Sequence, residues 1–127
     1  VDQCDIRQSI LRGRGAYYDA GVCIDYALAK NIEKAHTRGL LRVGRAEIYR
    51  HEDKWRDAER EMKKAIVEAS MAEEDDPRQA SRIFRHCADI ADYIERVDSS
   101  AGDKLRQRAK KLAQSTGAQD QLLKLNM

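Results

Sequence analysis

Apolar residues recur at steps of three and four along almost the whole chain, and this spacing predicts helices. From Arg78 to Val97 the apolar side chains form one broad helical stripe. No segment alternates apolar and polar residues for long enough to form a strand. The sequence therefore predicts an all-α fold of six to seven helices, the seventh a short piece around Leu122, Leu123 and Leu125.

Short polar breaks divide the pattern into helices. The acidic run 73–76 and Pro77 predict a helix start, because Asp76 is a good N-cap and proline suits the first helical position. Gly39 and Gly117 lie where a helix C-cap would favour glycine. The length of 127 residues, without a Ser-, Gly- or Pro-rich linker, predicts a single domain, and the start at Val1 indicates a fragment of a longer protein.

Composition narrows the class of partner. The 24 Lys and Arg residues and 22 Asp and Glu residues give a net charge of +2, with mixed signs along most of the chain. Two basic clusters, at Arg12 and Arg14 and in the stretch 104–111, lack interleaved aromatic residues on which bases could stack. Nucleic-acid binding is therefore the less favoured alternative. No apolar run approaches a membrane span of about 20 residues, so we expect no membrane partner.

No constellation of residues indicates catalysis. Cys4, Cys23 and Cys87 are widely spaced and form no CxxC motif, which favours reduced thiols and a cytoplasmic location. The histidines form no HExxH motif, and no phosphate-binding loop is present. Asp89 and Asp92 lie one helical turn apart, but nothing indicates the buried pocket that acid–base chemistry requires. We expect no enzymatic activity, no metal and no cofactor.

A pattern of small and aromatic residues repeats between about residues 9 and 115. The first copy contains Gly15, Tyr18 and Ala27, and the second, 31 residues later, contains Ala46, Tyr49 and Ala58. A third, 42 residues further on, contains Ala88 and Ala91, followed by Ala101 and Leu105. Small residues let two helices approach closely, where larger side chains would overpack the contact.

This pattern resembles the tetratricopeptide repeat, a helical hairpin of roughly 34 residues. In the middle copy, the family's Gly, Tyr and Ala-x3-Phe positions hold Ala46, Tyr49 and Ala58-x3-Met62. Arg42 and Arg45 stand where the family has Trp and Leu, and the late Pro is missing from every copy. The resemblance implies antiparallel hairpins stacked as a short right-handed superhelix. An unrelated helical bundle is the alternative, because Ala-rich amphipathic helices give a similar pattern.

The resemblance also implies a concave surface, lined by the first helix of each repeat, that holds a partner polypeptide. The inward positions are Arg12, Ala16 and Asp19 in the first copy, Val43, Glu47 and Arg50 in the second, and Arg82, Arg85, Asp89 and Asp92 in the third. The binding residues expected among them are Arg12, Glu47, Arg50, Arg82, Arg85 and Asp89. The arginines indicate an acidic partner segment, and the alternative is that they are only solvated.

A second hypothesis is a structural or self-associating segment of a larger protein. The longer second spacing resembles repeats of bacterial and fungal signalling NTPases and transcription regulators. Self-association would then involve Leu122, Leu123 and Leu125 near the end of the chain.

Overall fold

The computed structural model describes residues 2–94 and 100–116, and most of these residues lie in helices. The six helices are α1 (Asp2–Gly13), α2 (Tyr17–Leu28), α3 (Ala35–His51), α4 (Trp55–Ala72), α5 (Pro77–Ile94) and α6 (Ser100–Thr116). No strand occurs in these two stretches, so the predicted all-α fold is confirmed for them. None of these six helices combines the length and the apolar character needed to cross a membrane. The seventh helix expected around Leu122, Leu123 and Leu125 lies outside the described residues.

The helices pack as three consecutive pairs, α1 with α2, α3 with α4, and α5 with α6. The first helices of the pairs also contact in series, α1 with α3 and α3 with α5. Each second helix contacts the start of the next pair, α2 with α3 and α4 with α5. Among the described residues, α2, α4 and α6 make no backbone-level contact with one another. Helices α1, α3 and α5 therefore form the more closely packed layer. We call the surface of this layer the odd-helix face.

The first helix of each of the first two pairs ends in the same kind of C-cap. Gly15 and Asp53 follow α1 and α3 with positive φ angles of 77° and 58°. The next N–H in each turn bonds to a carbonyl five residues back, at 2.8 Å from Ala16 and 2.9 Å from Lys54. This is the Schellman arrangement, in which a left-handed residue closes the helix end. The two pairs are therefore equivalent at an offset of 38 residues.

This offset corrects the alignment drawn from the sequence. Gly15 lies in the turn after α1, and Tyr18 lies in the first turn of α2 with its side chain 84% exposed. The 31-residue offset is wrong, since neither residue occupies a position like those of Ala46 and Tyr49 within α3. At the corrected offset the buried residues of α2 and α4 match, namely Ala20, Ile24 and Ala27 with Ala58, Met62 and Ala65.

Three further residues lie in places that differ from those expected from the sequence. Ala16 and Asp19, expected on the inner surface of the first repeat, lie at the N-cap and in the first turn of α2. Gly39, expected as a C-cap, lies inside α3 and is buried. The 42-residue spacing of Ala46 and Ala88 holds, because both are fully buried at equivalent places in α3 and α5.

Two clusters of buried side chains hold the pairs together. The larger one joins α3, α4, α5 and α6 around Phe84, Ile83 and Ile90. The smaller one joins α2 to α3 around Ile24 and Leu41. Burial of each such side chain contributes roughly 1.5–3 kcal/mol. Many of the remaining core positions are alanines, which keep the helix axes close.

A buried carboxylate explains the two arginines that depart from the repeat pattern. Glu61 on α4 is only 6% exposed, and Arg42 donates to its Oε2 atom at 3.1 Å. Arg45 reaches Glu61 Oε1 at 3.8 Å and also pairs with Asp25 of α2. Buried charges are stable only when paired, so these contacts take the place of an apolar contact between α3 and α4. They also join α2 to the middle pair.

The substitution Gly39→Ala should lower the free energy of unfolding by about 1–3 kcal/mol through overpacking. A β-carbon at Gly39 would lie 2.7 Å from Cδ1 of Ile83, which is fully buried, and 3.3 Å from Cβ of Glu68. Gly21→Ala is the matched control, because its β-carbon would lie 4.0 Å from Ile48 Cδ1. There the helix preference of alanine should stabilise the protein by up to about 1 kcal/mol. Urea unfolding of both variants tests this, and equal stabilisation by both would contradict the close approach at Gly39.

Candidate functional site

All six residues predicted to bind a partner lie on the odd helices, but the structure divides them into three groups. Their positions are Arg12 on α1, Glu47 and Arg50 on α3, and Arg82, Arg85 and Asp89 on α5. Arg12 and Arg82 line a cleft, and Arg85 acts on the His86 side chain in it. Glu47 and Arg50 lie at the end of α3, and Asp89 belongs to the contact between α5 and α6.

The cleft has a volume of about 220 Å³ and opens on the odd-helix face. Its walls are α1 and α5, and its floor comes from α3. The polar lining residues are Gln8, Ser9, Arg12, Arg82 and His86, and the apolar ones are Ile6, Ile10, Leu40 and Val43. We call it the α1–α5 cleft.

His86 is the central titratable group of this cleft. Burial lowers the pKa of His86 to about 4, and the charges of Arg85, Arg82 and Arg12 act in the same direction. Asp89 opposes them with a smaller effect. The imidazole is therefore neutral at pH 7, and the positive charge beside it belongs to the arginines.

Arg82 and Arg85 of α5 differ from the arginines of α3 and α6 in their partners. Each arginine of α3 and α6 among the described residues pairs with a carboxylate, namely Arg38, Arg42, Arg45, Arg50, Arg106 and Arg108. Within the same part of the chain, neither Arg82 nor Arg85 makes an ion pair or a hydrogen bond. The Nε atom of Arg85 is buried and has no acceptor there. Arg82 is exposed and Arg85 is half-buried, so both guanidinium groups can donate further hydrogen bonds to an outside acceptor.

The second group fastens the end of α3 to α5. Arg50 donates to Glu47 Oε2 at 3.3 Å, and its guanidinium lies 5.5 Å from the centre of the Tyr93 ring. The hydroxyl of Tyr93 donates to Asp53, the left-handed residue that caps α3. Arg50 therefore stabilises the contact between α3 and α5, and it also remains accessible on the odd-helix face.

The third group is a clamp between α5 and α6. Arg106 donates to Asp89 Oδ1 at 3.0 Å and to Asp92. The hydrogen bond to Asp92, followed by the one to Asp89, raises the pKa of Arg106. Gly102 of α6 lies against Asp92, where a β-carbon would also come 3.2 Å from the carbonyl of Ala88. Asp89 and Asp92 are therefore engaged within the fold, although Oδ1 of Asp92 is buried without a hydrogen bond.

Other reactive groups lie away from the cleft. Burial raises the pKa of the Cys87 thiol to about 12, and the charge of Glu47 adds to this, so the thiol stays protonated. In the part of the chain that the structure describes, no three His, Cys, Asp or Glu side chains lie close enough to hold a metal ion together.

Sequence reasoning found Arg12 and Arg82 but missed His86 and the two isoleucines of α1. One signal was available, because Arg82 and His86 are four residues apart and hence lie on one helical face. The α1 wall could not be recognised while α1 was aligned through Gly15, because that register moved the inner surface of the first pair toward α2.

The pH dependence of stability should report the environment of His86. Its pKa is about 4 in the fold against an ordinary 6.5, so the unfolded chain binds more protons between these pH values. Stability should therefore fall as pH drops from 6.5 toward 4, by up to about 1.4 kcal/mol per pH unit from this group. Urea unfolding of the wild type and of His86→Gln tests this, since carboxylates titrate in both proteins. Equal slopes in the two proteins would contradict a half-buried, neutral His86.

No protein-family model, no curated protein and no solved structure matches this chain.

Proposed function

We propose that the chain is a non-catalytic protein-interaction domain that holds an acidic segment of a partner polypeptide on its odd-helix face. We further propose that the three helix pairs form a short right-handed stack of the tetratricopeptide type. The order of contacts supports this, because each pair adjoins the next through its own first helix and through the second helix of the pair before it. Such nearest-neighbour stacking is typical of helical repeat proteins, whose concave surfaces bind extended partners.

The observation that carries the proposal is the missing acceptor at Arg85. Its Nε atom is buried without a hydrogen bond, and neighbouring Arg82 has no carboxylate partner in the described stretches. Arginine recognises carboxylates through paired, charge-assisted hydrogen bonds, which are stronger than bonds between neutral groups. An acidic side chain from a partner would pair with the exposed guanidinium of Arg82 and with the accessible part of Arg85.

A peptide selection tests the proposed function and requires no candidate partner. A phage-displayed random peptide library is selected on the 127-residue chain, and the enriched peptides are synthesised and measured by calorimetry. We expect acidic sequences, with affinity for Arg50→Glu/Arg85→Glu reduced by more than about tenfold, since each reversed charge replaces attraction with repulsion.

The matched control reverses two charges elsewhere on the surface. Arg56 and Arg60 lie exposed on α4, away from the odd-helix face. Arg56→Glu/Arg60→Glu should bind the selected peptides as the wild type does, after correction for the change in net charge. Equal losses in both double variants, or enrichment of peptides without acidic residues, would contradict the proposal.

Self-association is the second candidate function, and a stripe on α2 favours it. Tyr18, Val22 and Tyr26 follow one another at intervals of four residues and are 84%, 52% and 59% exposed. Side chains at this spacing share one helical face. An exposed apolar stripe of this kind is a feature of protein–protein contact surfaces.

Light scattering distinguishes the two candidates. The interaction domain should stay monomeric at all concentrations, whereas self-association should give a dimer whose fraction rises with concentration. A dimer that dissociates after Val22→Lys or after Leu122→Lys/Leu123→Lys would favour the second candidate over the first.

A further inference from the structure

The α1–α5 cleft supports a more specific statement about the ligand, which rests on the proposed function. The cleft combines two kinds of surface within a small volume. Arg12, Arg82 and His86 give it a cationic and polar side, while Ile6 and Ile10 give it an apolar wall. Ile6 and Ile10 are 61% and 50% exposed, so much of that wall is uncovered.

The charges that act on His86 in the cleft are mainly positive. Arg12, Arg82 and Arg85 all act on His86, and the acidic group that opposes them, Asp89, already accepts a hydrogen bond from Arg106. The residues that α3 contributes to the cleft are Leu40 and Val43, which carry no charge. Arginines of both walls would therefore attract a ligand anion. The apolar floor would strengthen this attraction, because it lowers the local dielectric constant.

We propose that the α1–α5 cleft binds one anionic side chain of the partner, a carboxylate or a phosphorylated residue, together with an adjacent aliphatic side chain. The volume of about 220 Å³ is below that of typical small-molecule pockets, roughly 300–1,000 Å³, and suits one or two side chains. The anion lies between Arg12 and Arg82, and the aliphatic side chain packs on Ile6 and Ile10. The recognised element is thus a short sequence motif.

Binding in this cleft is coupled to a proton. The groups that face His86 are Arg82, Arg85 and Asp89 from α5 and Arg12 from α1. A bound anion offsets the arginines and favours the charged imidazole, which raises the pKa of His86 from its value of about 4. By linkage, the complex takes up a proton and tightens as pH falls from 7 toward 5.

Three matched peptides test the inference on the intact chain. The probes are acetyl-Leu-Glu-Leu-amide, acetyl-Leu-phosphoserine-Leu-amide and the neutral acetyl-Leu-Gln-Leu-amide. The imidazole signal of His86 and the methyl signals of Leu40 and Val43 are followed by NMR at constant ionic strength. We expect the anionic peptides to raise the His86 pKa by at least about one unit and to bind about tenfold or more tightly than the neutral one.

Two variants test whether the anionic peptides bind at Arg82. Arg82→Gln removes an exposed cation of the cleft and should reduce the affinity of the anionic peptides by about tenfold, to that of the neutral peptide. Arg60→Gln removes one charge from α4 and should leave the affinity for the peptides unchanged, apart from the small effect of net charge.

Preference for the phosphoserine peptide identifies a phosphorylated ligand, and equal or better binding of the glutamate peptide identifies a carboxylate.

Three outcomes would overturn the inference. They are equal binding of all three peptides, an unshifted His86 signal in the presence of the anionic peptides, and equal effects of Arg82→Gln and Arg60→Gln. If library-selected acidic peptides lose affinity for Arg50→Glu/Arg85→Glu while His86 stays unperturbed, the cleft assignment fails and the proposed function stands. If no acidic peptide binds the odd-helix face at all, both fail.

Discussion

The close packing of α3 against its neighbours is the constraint on which the odd-helix face depends. Helix α3 contacts α1, α2, α4 and α5, more helices than any other in the described part of the chain. At Gly39 the Ile83 side chain of α5 approaches α3, and at Gly44 the buried Gln8 of α1 does so. A β-carbon at Gly44 would lie 2.7 Å from Gln8 Oε1 and 3.2 Å from Ile24 Cδ1. The missing side chains thus set the distance of α1 and α5 from α3, and thereby the width of the α1–α5 cleft.

Charge is distributed differently over the inner contacts and the open surface. Arg42 and Arg45 enter the contact between α3 and α4 only because Glu61 neutralises them there. Removing either partner from such a buried pair is costly, so these charges are fixed to each other. The side chains of Arg82 and Arg85 remain without such partners among the described residues. The arginines of α3 and α6 are therefore engaged within the fold, whereas Arg82 and Arg85 of α5 are placed to contact another molecule.

The helices were predictable from the sequence because their apolar stripes are strong, and the 42-residue relation between Ala46 and Ala88 was predictable for the same reason. The first helix pair was misaligned, since the spacing of Gly15 and Tyr18 imitates the repeat pattern. The decisive property of Gly15 is its positive φ, which marks a helix end, and the equivalent residue of the second pair is an aspartate rather than a glycine. Sequence similarity could not identify that pair of positions, because only the backbone conformation makes them equivalent.

The candidate site was harder to predict than the helices because its walls come from distant parts of the chain. Arg12 and Arg82 were found individually, but their meeting across α3 depends on the packing at Gly39 and Gly44. The low pKa of His86 comes mainly from burial and in part from Arg12 of another helix, and the local sequence, which shows only Arg82 and Arg85, contains neither. Periodicity identifies helical faces, whereas a cleft between helices requires the contacts among them.

The same geometry couples ligand binding to the arrangement of the helix pairs. Helices α1 and α5 make no backbone-level contact among the described residues, although both line the cleft. A ligand held between Arg12 and Arg82 would therefore connect the first and third pairs directly, in addition to their separate contacts with α3. Because a ligand that binds only the folded state stabilises it by RT ln(1 + [L]/Kd), this connection would favour the packing of α1 against α3. Recognition of an anion and stabilisation of the first helix pair would then arise from the same contacts.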